Sequence, residues 1–436
     1  MMRRDMLGAI GGLAISGATN TAAAGNDKPA GPHQLKERHR QTNTATSAWT
    51  GFLELLADAD KITEQLSDPS DERLCLEAYA HLLMSLGQGF AFNFASDPDF
   101  PHFTPNFHWP NPSLGNCPDT TYYYTPINPK GSYRVWGRRN NMHMVDFQLG
   151  DVLWGTEGGG NNKALASYDL KDFPNLPDGD FEFILSTEQP AGLTAEWRLL
   201  PAGAHTLTVR QVAYDWSNEK QATLHIVRLD APTSTPRRHS AEDYKKALRA
   251  TAIYAKRITD QFTRYPKMLR DGGYINAKVH PNDFSDVGGL SDQMYYDGVF
   301  DLKDDEALIL EMPIPSVCRY WNLQLIDEFL AGTDYIFRHG SLNGHQARVD
   351  RDGKCRVVIA HRDPGAINWL DTAGLNTGLY MGRWKGANAH PLPVLTKIRS
   401  ADIDQYLPAD TVRVTPQQRA DIVLARRIAM LERIGH

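Results

Sequence analysis

Residues 178–197 of this chain read DGDFEFILSTEQPAGLTAEW, and residues 352–371 read DGKCRVVIAHRDPGAINWLD. In both, an Asp-Gly pair precedes a Pro by 12 positions: Asp178 to Pro190, and Asp352 to Pro364. Each copy then passes a Gly, reaches a Trp (Trp197, Trp369) and continues through a strand-like run to an Arg (Arg210, Arg383). Upstream, Asp119-Thr-Thr-Tyr122-Tyr123 matches Asp292-Gln-Met-Tyr295-Tyr296. The shared order of these features predicts an internal duplication, with two β-rich halves of like topology.

Asp352-Gly353 supplies a positive-φ turn, and Cys355, Val357 and Ile359 alternate with Arg356 and Val358 as in a half-buried strand. Pro364 ends the run because it cannot donate to a ladder. Duplication also separates scaffold from chemistry: what both copies keep reads as architecture, and what differs is a candidate for function. Copy one has Thr187-Glu188-Gln189 where copy two has His361-Arg362-Asp363. On a strand, His361 and Asp363 share a face and Arg362 points the other way. A His beside a carboxylate is an acid–base pair or a ligand clamp.

Asp363 and Asp371 flank a Trp-bearing loop, and two carboxylates with an aromatic platform are the minimum for glycoside hydrolysis. The candidate catalytic residues are therefore His361, Asp363 and Asp371. Arg362, Asn368 and Trp369 would position substrate, joined by Trp109, Tyr123 and Tyr296. A structural reading stands against this one. An Asp before Pro caps turns, an Asn-Trp-Leu-Asp loop closes hairpins, and tyrosines present in both copies suit core packing.

The net charge of −6 and the absence of a concentrated basic stretch exclude a nucleic-acid footprint. Residues 1–24 read as a signal peptide. Arg3-Arg4-Asp5-Met6-Leu7 opens a short Gly/Ala-rich apolar run ending at Ala22-Ala23-Ala24, as twin-arginine signals do. The expectation is cleavage near Ala24, a periplasmic product and no stable membrane span. Four cysteines without a CxxC do not make a disulfide scaffold; whether Cys318 and Cys355 pair is open.

Residues 25–44 read as a disordered linker and 45–94 as helical, with helices over 47–66 and from an Asp68-Pro69 cap to about 87. Residues 95–235 read as a first β-sandwich. Ser240-Ala-Glu-Asp243 caps a connecting helix to about 263 within 236–272. Residues 273–395 read as the second sandwich and 396–436 as a C-terminal helical segment, its helix capped by Thr415-Pro416. The stretch 95–124 is crowded with aromatics: either the wall of a ligand pocket or a long loop buried at a subunit or domain contact. His102 and His108 there have no partners at ligand spacing, so no metal is expected. No nucleophile elbow, P-loop or dinucleotide fingerprint occurs, and no cofactor is expected.

Asn116-Cys-Pro-Asp119-Thr-Thr-Tyr122, Arg319-Tyr-Trp-Asn-Leu-Gln324-Leu-Ile-Asp327, and His361-Arg-Asp-Pro-Gly365 with Asn368-Trp-Leu-Asp371 resemble the paired bacterial domains of unknown function 1254 and 1214. That resemblance implies two tandem jelly-roll-like β-sandwiches with helical additions, often in homo-oligomers, and it implies no chemistry. The expectation is thus a mainly β chain of two tandem antiparallel sandwiches. Its function would be an exported hydrolase acting on a glycan or other hydroxylated small molecule. The alternatives are a periplasmic binding protein for a ring-shaped or lipophilic ligand, or a structural oligomer.

Overall fold

Two copies of one nine-strand pattern make up the β structure. In a computed structural model, residues 44–107, 112–113, 115–153, 162–173, 179–290 and 292–434 are described. The first half holds β1 (Thr104–Asn106), β2 (Thr120–Pro126), β3 (Tyr133–Arg138), β4 (Met144–Gly150), β5 (Ala164–Asp169), β6 (Asp180–Ser186), β7 (Glu196–Leu199), β8 (Thr206–Val212) and β9 (His225–Arg228). The second holds β10 (His280–Asn282), β11 (Gln293–Asp301), β12 (Glu306–Pro313), β13 (Cys318–Ile326), β14 (Ser341–Asn343), β15 (Lys354–Ala360), β16 (Trp369–Asp371), β17 (Thr377–Ala387) and β18 (Val394–Arg399).

The strand orders are β1-β2-β8-β4-β5 and β7-β6-β3-β9 in the first half, and β10-β11-β17-β13-β14 and β16-β15-β12-β18 in the second. Each order of the second half is that of the first advanced by nine strands, as the duplicated sequence predicts. The sheets are not purely antiparallel. β6 pairs with β7, and β15 with β16, in parallel, and each short parallel strand carries the repeated Trp. Trp197 Nε1 donates to Ser186 Oγ and Trp369 Nε1 to the Ala360 carbonyl, each tying the short strand to the end of its neighbour.

Within each half the two sheets close on an apolar core. Tyr133, Phe147, Phe183 and Val209 fill the first; Phe300, Leu310, Leu323 and Val357 fill the second. β4 and β8 are buried along their whole length. Val145, Phe147 and Leu149 point into the sandwich, while Met144, Asp146 and Gln148 face the other half. Strands that alternate apolar and polar residues normally turn the polar side to water. Here that side is covered because the two five-stranded sheets back onto one another.

Helices complete the clasp. α1 (Thr44–Leu56) precedes a 3₁₀ turn over Ala59–Gln65. α2 (Glu72–Phe94) is capped by Asp71, not Asp68, whose carboxylate instead accepts from Ser70 in the preceding turn. α3 (Ala241–Asp271) starts at the expected Ser240–Asp243 capping box. It runs on through Pro266, where the sequence suggests a stop, because Pro266 and Leu269 are buried in its contacts. α2 and α3 pack closely at Gly89, where a Cβ would sit 3.2 Å from Thr251 and Tyr254. Both helices rest on residues of the two five-stranded sheets, Tyr124 from one and Val299, Ile326 and Leu379 from the other. α4 (Pro416–Ile434) straps the halves together: Arg433 donates to the Pro118 carbonyl, while Arg426 donates to Gln346 Oε1 at 2.6 Å and to Ser341 Oγ at 3.0 Å. No helix among the described residues is long and apolar enough to cross a membrane. All four cysteines are free thiols, Cys318 and Cys355 included.

Candidate functional site

Where the two halves back onto each other they leave a cavity of about 510 Å³, walled mainly by aromatic and aliphatic side chains. That volume suits a small organic ligand. The duplication builds its wall twice. On β2 and β8, Tyr122 stands opposite Arg210; on β11 and β17, Tyr295 stands opposite Arg383. The Arg210 guanidinium lies 5.9 Å from the Tyr122 ring centre, and that of Arg383 lies 5.3 Å from the Tyr295 ring. Phe107 meets Tyr122 edge-on at 5.9 Å and Phe284 meets Tyr295 edge-on at 4.7 Å.

The hydrogen bonds repeat as well. Arg210 Nη1 donates to Gln148 Oε1 at 2.6 Å, and Arg383 Nη1 to Gln324 Oε1 at 3.0 Å. Each arginine then crosses to the other half. Arg210 Nη2 donates to the Gly288 carbonyl at 3.0 Å, and Arg383 Nη2 to the Gly115 carbonyl at 2.6 Å. Gly115 stands as far ahead of Tyr122 as Gly288 stands ahead of Tyr295. These are the reciprocal contacts of a two-fold interface, written here within one chain.

The electrostatics are unusual. Arg210 is 9% exposed and Arg383 5%, and among the described residues neither has a carboxylate within ion-pairing distance. Their acceptors are amides, backbone carbonyls and, for Arg383, the Met381 sulfur. A guanidinium keeps its proton under all ordinary conditions, so two positive charges stand at the cavity wall. The two differ in one neighbour: Asp146 stands opposite Arg210 on β4 and its carboxylate feels that charge, whereas Asn322 stands opposite Arg383 on β13. The other buried cations here have carboxylate neighbours too: Asp146, Asp292 and Asp169 for Lys385, and Asp119 for Arg426 and Arg433.

Backbone strain collects at the same place. Phe107, Phe284 and Leu330 hold positive φ of 49°, 51° and 51°, and all three line the cavity. Bulky side chains rarely adopt that region, at a cost of about 1–3 kcal/mol each. Asn106 and Asn282 hold the two Phe turns by accepting from the Phe107 and Phe284 amides, each at 2.9 Å.

A polar chain without a twin crosses one wall. Tyr320 donates to Asp119 Oδ2 at 2.6 Å, and its hydroxyl lies 3.2 Å from Cys117 Sγ. Asp119 also accepts from Trp216 Nε1 at 2.7 Å and Asn343 Nδ2 at 2.8 Å. Burial, then the Asp119 charge, pushes both the Cys117 thiol and the Tyr320 phenol up. Burial likewise pushes Tyr122 up to about 12. These groups are neutral donors and acceptors at neutral pH; the thiol is not an activated nucleophile.

The residues singled out from the sequence lie elsewhere. β15 stops at Ala360, so His361, Arg362 and Asp363 lie past its end instead of alternating along it. His361 Nδ1 lies 2.9 Å from Thr372 Oγ1, and its Nε2 lies 3.2 Å from the Leu302 carbonyl. Asp363 accepts from the Gly365 amide and from Arg419 of α4, both at 2.9 Å. Asp371 accepts from Arg338 at 3.0 Å and from the Ala373 amide at 2.9 Å. Arg362 is exposed. Asn368 is buried, donating to the Arg348 and Arg356 carbonyls at 2.6 Å and 3.0 Å, and Trp369 is buried against His339 with Arg419 over its ring. His361 and Asp371 share one end of the β15–β16 pair, but none of the six lines the cavity.

Tyr123 and Tyr296 point into the sandwich cores, Tyr123 donating to Gln221 Oε1 at 3.0 Å and Tyr296 to the Met312 sulfur at 3.0 Å. Their neighbours Tyr122 and Tyr295 take the cavity face. Trp109 and His108 lie outside the described residues, as does most of the Gly-rich 155–162 run. Among the described residues no group of three or more His, Cys, Asp or Glu could hold a metal ion. Arg210 and Arg383 were visible in the sequence as the last shared feature of the two copies; their being shared is what marked them as scaffold.

The fold is similar to that of an uncharacterized protein from Burkholderia cenocepacia, with 27% identity and a TM-score of 0.74 over 81% of this chain and 97% of that one. The VPA0106 protein from Vibrio parahaemolyticus is a distant likeness, at 11% identity and a TM-score of 0.40 over 78% of this chain and 100% of that one. No curated protein matches the chain. Within the second half, residues 299–382, running from β11 into β17, match the family described as "Protein of unknown function (DUF1214)".

Proposed function

We propose that this protein binds a small organic anion with an apolar body in the cavity between its halves. The observation that carries this reading is Arg383: a buried guanidinium ion with only neutral protein acceptors, on the wall of a largely apolar cavity that Arg210 also lines. A buried charge without a counter-ion is costly, and a ligand carboxylate or phosphate supplies one with charge-assisted bonds. The aromatic wall takes the rest of the ligand. This reading develops the binding-protein alternative for a ring-shaped or lipophilic ligand and adds the charge.

The test is calorimetric titration of the full chain with octanoate, beside Arg383→Gln. Saturable binding that weakens at least tenfold in the variant is expected. Equal affinity in both proteins, or no binding in either, contradicts the reading.

Four further proposals rest on sequence. Residues 1–24 direct export to the periplasm, tested by N-terminal sequencing of the periplasmic product. The first half is the 1254-type partner of the matched second half, and the chain forms homo-oligomers, tested by light scattering. Hydrolysis at His361, Asp363 and Asp371 is the catalytic proposal; their turn and strap contacts weigh on the architectural side.

A further inference from the structure

α2 has two apolar faces, and the chain covers one of them. Ala78, His81, Ser85 and Phe92 are buried on the side that packs on α3. The other side carries Leu76, Ala80, Leu83, Gly87 and Phe90, at steps of four and three, and all five are exposed. Leu76 is 59% exposed, Leu83 68% and Phe90 57%. An apolar seam of this period belongs to a helix that packs lengthwise on another helix. Left on a surface, it marks an interaction site. Gly87 stands inside the helix, where glycine lowers stability, and a Cβ there would meet nothing of its own chain within 4 Å. Nothing within the chain requires glycine at that point; a close approach from outside does.

The seam fits a second copy of itself. Its large residues, Leu76, Leu83 and Phe90, recur every seven positions, and the small ones, Ala80 and Gly87, fall between them. Two such helices laid antiparallel set large side chains against small ones. Laid parallel, they set large on large and leave gaps at Ala80 and Gly87. Near one end of the seam Glu72, Arg73, Leu76, Glu77 and Ala80 line a shallow groove, of the kind that receives a knob from a facing helix. Phe90, stacked on Phe94 at 5.0 Å, is the large side chain at the other end. Antiparallel docking carries the Phe90 of each copy toward the groove of the other.

Charge selects the same direction. α2 starts among exposed acids, Asp68, Asp71 and Glu72, with Arg73 tied to Glu77 at 2.9 Å. Its far end lies by basic residues: Phe94 meets Tyr244 at 6.2 Å, Tyr244 meets His239 at 5.6 Å, and Arg237 and Arg238 come just before. Asp243 answers Arg237 and leaves Arg238 without an ion pair among the described residues. Antiparallel docking sets the acidic end of one copy by the basic end of the other, whereas parallel docking sets like charges together. We propose that the chain forms a two-fold dimer through this face of α2, with the two helices antiparallel. Such a pairing uses the same surface on both copies and closes on itself. It rests on the homo-oligomer proposal above and names its surface; it is independent of the anion site.

Sedimentation equilibrium of the full chain tests it. The parent is expected to be a dimer. Leu83→Asp should weaken association by about a hundredfold or more, with thermal melts showing a folded monomer. Gly87→Leu separates the seam from the helix. Added to Leu83→Asp it should melt no lower, because the helix gains and the side chain has room, yet alone it should weaken the dimer about tenfold. A short bismaleimide, applied in a Cys75→Ser background, reads the direction. Leu83→Cys should join two chains and Leu76→Cys should not, because antiparallel packing carries the two copies of position 76 to opposite ends. Equal cross-linking at both positions means parallel helices and overturns the arrangement. A dimer untouched by Leu83→Asp and Gly87→Leu overturns this face and leaves the homo-oligomer proposal standing. A monomeric parent overturns both, and a Leu83→Cys thiol that then resists labelling assigns the face to another segment of the same chain.

Discussion

Arg383, on the second half, donates from Nη2 to the Gly115 carbonyl of the first half at 2.6 Å. Arg210 returns the contact to Gly288. The two residues that clasp the halves are thus also the charges that face the cavity, so occupancy of the cavity and the fit between halves are linked. A ligand that binds only the closed pair stabilises the fold in proportion to its concentration.

A buried cation without a carboxylate is a poor stabiliser, so removing it should cost little. Arg383→Gln keeps one amide donor near Gly115 and is expected to change unfolding free energy by less than about 1 kcal/mol in the absence of ligand. Arg419→Gln breaks an ion pair with Asp363 on a side chain that is 7% exposed, and should cost about 2–3 kcal/mol. Urea denaturation of the two variants measures both. A larger loss in Arg383→Gln than in Arg419→Gln would mean that the cavity arginine serves the scaffold.

His81 on α2 is 5% exposed, and neither ring nitrogen has a hydrogen-bond partner among the described residues. It stacks on Phe329 at 5.7 Å. Burial lowers its pKa to about 4, against 6.5 for a free imidazole. Between those values the unfolded chain takes up a proton that the folded chain refuses. Stability from this group is complete above pH 6.5 and is lost as the pH falls toward 4, by on the order of 3 kcal/mol. His81→Phe keeps the ring without the nitrogens. Denaturation at pH 5 and pH 7.5 should show a smaller difference in that variant than in the parent; an unchanged difference assigns the slope to other groups.

Asp371 and Asn368 bond to the backbone and to Arg338, so they hold the 361–375 turn. Asp371→Asn and Asn368→Ala are expected to lower stability by about 1–3 kcal/mol each while leaving octanoate affinity unchanged. The catalytic proposal expects the opposite: folded variants of near-normal stability that lose turnover on a glycan or related substrate. Melting and binding measured on the same samples separate the two.

Gly382 faces Tyr296 across β17 and β11, and a Cβ there would lie 1.9 Å from the Tyr296 ring. The ring is fully buried over Met312 and Trp384 and has no room to withdraw. Gly382→Ala should therefore destabilise by about 3 kcal/mol. At the matching position of the first half, Val209 lies opposite Tyr123, whose ring packs differently, so Val209→Ala there should act only as an ordinary core truncation. Paired thermal melts of the two variants check the difference.

The duplication could be read from the sequence because its signals are local: an Asp-Gly turn, a Pro, a Trp and an Arg in fixed order. The cap at Ser240–Asp243 and the helix after Thr415 could be read for the same reason. The choice of face could not. Tyr122-Tyr123 and Tyr295-Tyr296 must point opposite ways on their strands, but alternation does not say which way a cavity lies when both faces are buried. Arg210 and Arg383 are kept by both copies and so read as architecture. That rule holds for a site made by one half; a site lying between two like halves uses what they share. Pro364 marks the stop in the sequence and so aligns His361 and Asp363 as strand neighbours, whereas the ladders of β15 with β12 and with β16 both end at Ala360.

The most direct test is a crystal structure of the full chain soaked with octanoate. The account expects density for the ligand in the inter-half cavity, with its carboxylate at the Arg383 guanidinium group and its alkyl chain against Phe107, Phe284 and Met381. An empty cavity at saturating ligand, or a ligand seated beside His361 and Asp371 instead, would contradict it.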